Sequence, residues 1–292
     1  MPADSRSNGP LFVVLASALW GTSGTAQAFA PQSADPISVG VVKIGVGGAA
    51  MLLFAALSGA LAKGPVASTR WTPLPVLACA VLVAAYQTLF FTGISLTGVA
   101  LGTISAIGSL PVWAGLADLF YGKRPDARWL GATALAVAGC ALLVGSGGPL
   151  SADPLGVLLC VFSGGGLVAF TTIAKGMLED RPHAVVMGVT FTLGAVVLSP
   201  ALFFSDPSWV LSTAGIAVTL ELGIGATALA YILFANGLSK VSVSTAATLS
   251  LAEPLTAGLL GLIILGERIS PIAVWGMGLL VLGLLLATVK RG

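Results

Sequence analysis

An all-α membrane protein of ten transmembrane helices, arranged as two inverted five-helix repeats, is the fold this sequence predicts. Three observations carry the prediction. The chain is 57% hydrophobic and 8% charged, with a mean hydropathy of +1.03, whereas soluble domains carry about 25% charged residues. Long apolar runs follow one another from end to end without alternating polar positions, which suits helices of roughly 20 residues and not barrel strands. Finally, the chain matches itself at a nearly constant offset.

The runs place ten spans near 10–30, 37–61, 72–94, 98–121, 129–146, 154–175, 183–204, 214–237, 243–266 and 271–289, with Lys43 interrupting the second and Glu221 the eighth. Basic residues orient them. With a cytoplasmic N-terminus, the inner segments hold Arg6, Lys63, Arg70, Lys123, Arg124, Arg128, Lys175, Arg181, Lys240, Lys290 and Arg291, eleven of the thirteen Lys and Arg. The outer loops hold only Arg268. Positive charge is retained on the cytoplasmic side during insertion, so both termini are predicted inside. The "AQA" at Ala26–Ala28 resembles a signal-peptidase site, but this first segment has a counterpart later in the chain and is expected to stay.

That counterpart belongs to a repeat. "GIS" from Gly93 returns as "GLS" from Gly237, Pro111 pairs with Pro254, and "YGKR" ending at Arg124 pairs with "LGER" ending at Arg268. Gly131 and Gly139 pair with Gly276 and Gly283, and these offsets all lie between 143 and 145. Upstream, Gly21 and Ala26 pair with Gly164 and Ala169. Five spans per half is an odd number, so the second half enters the membrane from the opposite side. The expected division is 1–146 and 147–292. Inverted repeats are the signature of alternating-access transporters.

The stretch Ala230–Leu286, "AYILFANGLSKVSVSTAATLSLAEPLTAGLLGLIILGERISPIAVWGMGLLVLGLLL", resembles the repeat signature of EamA-type drug/metabolite transporters. The aromatic before the "NGL"-like turn, the mid-membrane Glu-Pro, the Gly-Glu-Arg at a helix end and the spaced glycines carry the likeness. The first half matches in outline, with Leu110-Pro111 where the second has Glu253-Pro254. The resemblance implies export of small metabolites across the bacterial inner membrane. Within the family the chain looks most like the YddG-type exporters of aromatic and other neutral amino acids. A carrier of another cargo (a drug, a nucleotide sugar or a lipid-linked metabolite) on the same fold is the alternative.

The polar residues at depth are the candidate site. An ionised Glu253 near mid-membrane costs about 2.5–3.5 kcal/mol on the insertion scale, so it is neutral, paired or facing a wet cavity. Pro254 removes a backbone bond, and is expected to leave a carbonyl free in the preceding turn and to bend the helix. Glu253 therefore reads either as a fold-locking or gating residue, with Pro111 and Pro254, or as a direct substrate contact. Lys43 lies roughly 9 Å from the centre of its span; it either snorkels outward or reaches Glu253 or a substrate carboxylate. The family resemblance implies a basic residue here. Trp71, Tyr121, Trp129, Trp209 and Trp275 fall at predicted boundaries and read as an interfacial belt. Trp20, Tyr86, Trp113 and Tyr231 remain near mid-depth and should face the interior, as should Gln87 and Asn236. The repeat pairs Gln87 with Tyr231 and Phe90 with Phe234; Ser250 stands beside the Glu-Pro kink. Cavity lining and packing are both open to each of them.

A cavity of aromatics and hydroxyls with one or two charges suits an amino acid and not a polyanion. No catalytic group is expected. The only His, His183, is in a loop, there is neither H-E-x-x-H nor G-x-S-x-G, and a P-loop is absent. Cys79, Cys140 and Cys160 stand alone in separate spans and read as small hydrophobes. No metal, cofactor or nucleic-acid partner is expected. The expected partners are a small-molecule substrate and the lipid bilayer, around a monomer.

Overall fold

A computed structural model describes residues 8–61, 71–145, 153–266 and 270–288. Arg6, Lys63, Arg70, Arg268, Lys290 and Arg291, which entered the charge argument, lie outside the described residues. Among the described residues there are helices and no strand. In chain order they are α1 (Gly9–Ala28), α2 (Pro36–Leu57), α3 (Pro73–Thr97), α4 (Val99–Phe120), α5 (Ala127–Gly145), α6 (Pro154–Leu178), α7 (His183–Leu198), α8 (Thr213–Leu238), α9 (Val243–Ile263) and α10 (Pro271–Thr288). Nine spans among the described residues are long and apolar enough to cross a membrane, α7 together with the 3-10 turn that extends it to Phe204, and α5 is a shorter apolar helix.

Local chemistry sets where the helices begin. Pro36, Pro73, Pro154 and Pro271 open α2, α3, α6 and α10, where the missing N–H has no intrahelical partner to lose. Asp35 caps α2 by accepting from the Ile37 and Ser38 amides at 3.0 Å, and Asp153 caps α6 through the Gly156 amide. Between α3 and α4 the chain reverses at Gly98, whose φ of 80° is a left-handed conformation suited to glycine.

Packing follows the repeat. Helix α1 packs on α8 and α9, while α6 packs on α3 and α4; α2 faces α7, and α5 faces α10. Exchanging the first five helices with the last five maps this set of pairs onto itself, as a pseudo-two-fold axis requires. The α5–α10 contact is backbone-close because glycines line it. A Cβ at Gly276 would stand 2.6 Å from the Leu143 nitrogen, and one at Gly283 would stand 2.6 Å from the Ala136 nitrogen. Large apolar side chains such as Leu74, Phe120, Phe203 and Ile263 point away from the bundle, as a hydrocarbon solvent demands.

Three local departures matter. Helix α8 changes to π-helix over Glu221–Leu229, and the Thr227 hydroxyl donates to the Leu222 carbonyl five residues back. Helix α9 breaks into Val243–Leu249 and Ala252–Ile263. The Leu251 N–H donates to Thr248 and the Glu253 N–H to the Ser250 carbonyl at 3.0 Å, each three residues back instead of four. The carbonyl that Pro254 was expected to leave free, that of Ser250, is thus taken by the tightened turn. Finally, Trp209 is not part of an interfacial belt. It is 3% exposed, sits on Val39, Val218 and Leu222, and donates its indole N–H to the Ser38 hydroxyl at 2.8 Å. Tyr121 and Trp275, at 70% and 74% exposure, fit the belt.

Candidate functional site

Both repeats send residues to one polar-aromatic cluster at mid-depth. At its centre the hydroxyls of Tyr86 on α3 and Tyr231 on α8 share a hydrogen bond of 3.0 Å. They are 145 residues apart, the repeat distance, so near-equivalent positions meet where a pseudo-two-fold axis would bring them. Gln87, which the sequence paired with Tyr231, is one residue off this register.

Aromatic rings surround the hydroxyl pair. The Trp20 ring of α1 lies 5.0 Å from Tyr231 and 5.1 Å from Phe234, and Phe191 of α7 lies 4.3 Å from Tyr231. Phe170 of α6 stands edge-on to Phe191 at 5.8 Å. Both Phe170 and Phe191 are fully buried, and sequence reasoning missed them, because a phenylalanine in an apolar span carries no polar signal. Tilted and edge-on rings at these distances add about 0.5–1.5 kcal/mol per pair beyond area burial.

Charge enters from α2 and α9. Lys43 and Glu253 are each half-buried, and their opposite charges act on one another. The Glu253 charge also reaches the hydroxyls of Tyr86 and Tyr231 and the Cys140 thiol. Within hydrogen-bond reach, neither Lys43 nor Glu253 has a partner among the described residues, and neither side chain is sealed from small probes. No ion pair closes between them. Glycine permits the close approach of α1 here: a Cβ at Gly21 would stand 2.6 Å from the Glu253 carbonyl oxygen.

Two donors at the cluster are orphaned. The Trp20 indole N–H and the Gln87 amide nitrogen are buried with no hydrogen-bond partner among the described residues. A buried unmade hydrogen bond costs about 1–3 kcal/mol. Below Trp20 lies a cavity of about 20 Å³ whose walls include Leu167 and Thr171 of α6, Phe234 of α8, and Val243, Ala247 and Ser250 of α9. That is room for about one water.

The remaining candidates lie apart. Trp113 donates its indole N–H to the Val161 carbonyl at 2.9 Å and lies over Gly165, pinning α4 to α6. Asn236 bonds His183 Nδ1 at 3.0 Å and the Ile232 carbonyl at 2.7 Å, tying α7 to α8. The Phe90 ring packs on Phe91. Ser250 reaches the cavity but donates to the Ala246 carbonyl at 3.0 Å. Pro111 sits inside an unbroken α4, and Pro254 follows the break in α9. Among the described residues no cluster of three His, Cys, Asp or Glu side chains could hold a metal ion.

Comparison with known proteins agrees with this architecture. The model of the EamA-like transporter family matches residues 7–145 and again residues 154–289, and the inverted repeat fits those two matches. An uncharacterized transporter of Bacillus subtilis strain 168, YwfM, is 45% identical over 276 residues, spanning 94% of this chain and 92% of that protein. YicL, an uncharacterized inner membrane transporter of Salmonella typhimurium strain LT2, is 24% identical over 267 residues, spanning 90% and 89%. A solved crystal structure superposes with a TM-score of 0.83 at 21% identity, covering 97% of each chain; it speaks to the fold.

Proposed function

The chain belongs to the EamA-like transporter family, is a multi-pass membrane transporter and not an enzyme, and on that premise we propose that it exports small neutral or zwitterionic metabolites by alternating access. Amino acids, aromatic and other neutral ones as in the YddG-type exporters, are the cargo this reading favours. The observation that carries it is the Lys43–Glu253 pair, one charge of each sign, held apart beside an aromatic cluster. On this reading a zwitterion enters between them when the bundle opens: its ammonium faces Glu253, its carboxylate faces Lys43, and its apolar side chain lies against Trp20, Tyr231 and Phe234. The orphaned Trp20 and Gln87 donors gain acceptors from the same head group. A polyanion would meet a single cation and one repelling carboxylate.

Direction follows from charge. Lys123, Arg124, Lys175, Arg181 and Lys240 cluster at one end of the bundle, and the positive-inside rule makes that end cytoplasmic. The bacterial inner membrane, with both termini inside, is the corresponding location. The halves 1–146 and 147–292 are the two repeats, and the groups that move against each other draw on both, α3, α4 and α6 on one side and α1, α8 and α9 on the other.

Purified protein in liposomes loaded with radiolabelled neutral amino acids tests the reading. Efflux and counterflow should exceed those of protein-free liposomes, and Lys43→Met or Glu253→Gln should abolish the excess. Running the assay with and without a pH gradient separates proton exchange from downhill flux. Counterflow of a nucleotide sugar, with none of any amino acid, would refute the cargo.

A further inference from the structure

Lys175 belongs to no part of the mid-depth cluster, yet it ties together helices that pack in different groups. It stands in the last turn of α6, the helix that packs on α3 and α4. Its ammonium donates to the Leu238 carbonyl at 2.5 Å and to the Val241 carbonyl. Those carbonyls form the turn from α8 to α9, the helices that pack on α1. The contact therefore bridges the two packing groups that alternating access must move against each other.

Its position relative to the cavity is equally specific. Thr171, one turn before Lys175 and so on the same face of α6, lines the small cavity below Trp20. Val243 and Ala247, just past the turn that Lys175 holds, line the opposite wall. Lys175 thus stands one helical turn beyond the cavity wall, toward the basic end. At the other end of the bundle, offsets of 143 at Ala26–Ala169 and 146 at Pro36–Pro182 put the equivalent stretch at 29–32, which ends on Gln32 and holds no basic residue. Gln32 is exposed, and its side chain makes no hydrogen bond among the described residues. The first segment of α9, at the basic end, packs on α4, whereas the second packs on α1.

We propose that Lys175 is the latch of the basic-end gate. Its two charge-assisted bonds, roughly twice as strong as neutral ones, hold α6 to the α8–α9 turn and close the cavity there. Opening toward that side breaks both bonds, and Gln32 of the equivalent stretch at the far end makes no such bond among the described residues. Lys175 thus sets how the protein divides its time between the two openings. This inference rests on the transport reading but not on the cargo.

The test uses no cargo, so a failed amino-acid assay would leave it intact. A single reporter, Ala247→Cys, is placed in a background lacking Cys79, Cys140 and Cys160, and inside-out vesicles receive a membrane-impermeant maleimide. With Lys175 present the reporter should label slowly. Lys175→Met should speed labelling on the order of tenfold, as a shift in gate population requires, and Lys175→Arg should restore the slow rate. Lys175→Gln serves if the Met variant does not fold. An unchanged rate in a folded neutral variant, or an Arg variant as fast as the Met variant, would overturn the latch, since a simple helix cap would leave labelling alone.

Discussion

The two repeats carry the same proline and do opposite things with it. In the first half Pro111 lies within α4, which runs unbroken from Val99 to Phe120. In the second half Pro254 follows a break, where the Leu251 and Glu253 amides shorten to a three-residue reach. Helix α3 is regular throughout, whereas its counterpart α8 widens to π-helix over Glu221–Leu229. A π-segment inside an α-helix is uncommon and frequently lies at functional sites. The irregular backbone, the carboxylate and the latch turn are thus concentrated in α8 and α9, and the regular α3 and α4 serve as the frame against which they work. Sequence symmetry sets the pairing of helices, and on the transport reading proposed above the departures from it mark the parts that move.

The largest expected effect removes the charge that only one half has. Glu253→Gln leaves Lys43 without its counter-charge and removes the carboxylate proposed to face the cargo's ammonium. Exchange in proteoliposomes should fall by tens-fold or more, with the protein still inserted. Adding Leu110→Glu gives the first half the motif of the second. Because Leu110 is buried on α4, which packs on α3, α5, α6 and α9, this second change should not restore flux. Recovery would mean the halves are interchangeable.

The proline pair comes next. Pro254→Ala supplies an N–H that takes over the Ser250 carbonyl at four-residue spacing, which frees the Glu253 N–H for Leu249 and lets α9 close into a continuous helix. One gained hydrogen bond of about 1 kcal/mol biases the protein toward the straight form and slows exchange about fivefold. Pro111→Ala, in a helix already continuous, should leave the rate near parental. Equal responses from the two variants would erase the distinction drawn between α4 and α9.

How much of this was legible in the sequence depends on the range of the cause. The helices were legible, because hydropathy and proline placement act along the chain, and Lys43 and Glu253 stood out because a charge at depth is costly. Trp209 was misread as interfacial, since nothing local shows that the Ser38 hydroxyl, 171 residues away, awaits its indole. Gln87 was matched to Tyr231 where Tyr86 makes the contact, because repeat offsets of 143 to 145 leave the register open by one residue. Lys175 looked like one more positive-inside charge, and its acceptors are backbone carbonyls, which have no sequence signature. The π-segment of α8 likewise depends on packing against α2, where Gly47 meets Thr227.

A smaller effect probes that segment. Thr227→Val keeps the shape and removes the hydroxyl's bond to Leu222. The helix should lose about 1 kcal/mol of stability. Thr88→Val on the regular α3 should cost less, since Thr88 is exposed and its bond to the Ala84 carbonyl follows the ordinary four-residue spacing. Thermal melts in one detergent would rank the pair.

The smallest effect lies in the loop from α7 to α8, outside the spans. The Asp206 carboxylate accepts from both the amide and the hydroxyl of Ser208 at 2.9 Å, and these bonds hold its pKa below the usual carboxylate range. A carboxyl depressed in the folded state stabilises fully above its unfolded pKa and loses that contribution as pH falls through the folded one. Asp206→Asn should therefore melt slightly below the parent at neutral pH, and the gap should close on acidification below about pH 4. Because the side chain is exposed, water competes for the same bonds and the gap stays small. A gap that persisted in acid would show that Ser208 recognises the shape of the side chain and not its charge.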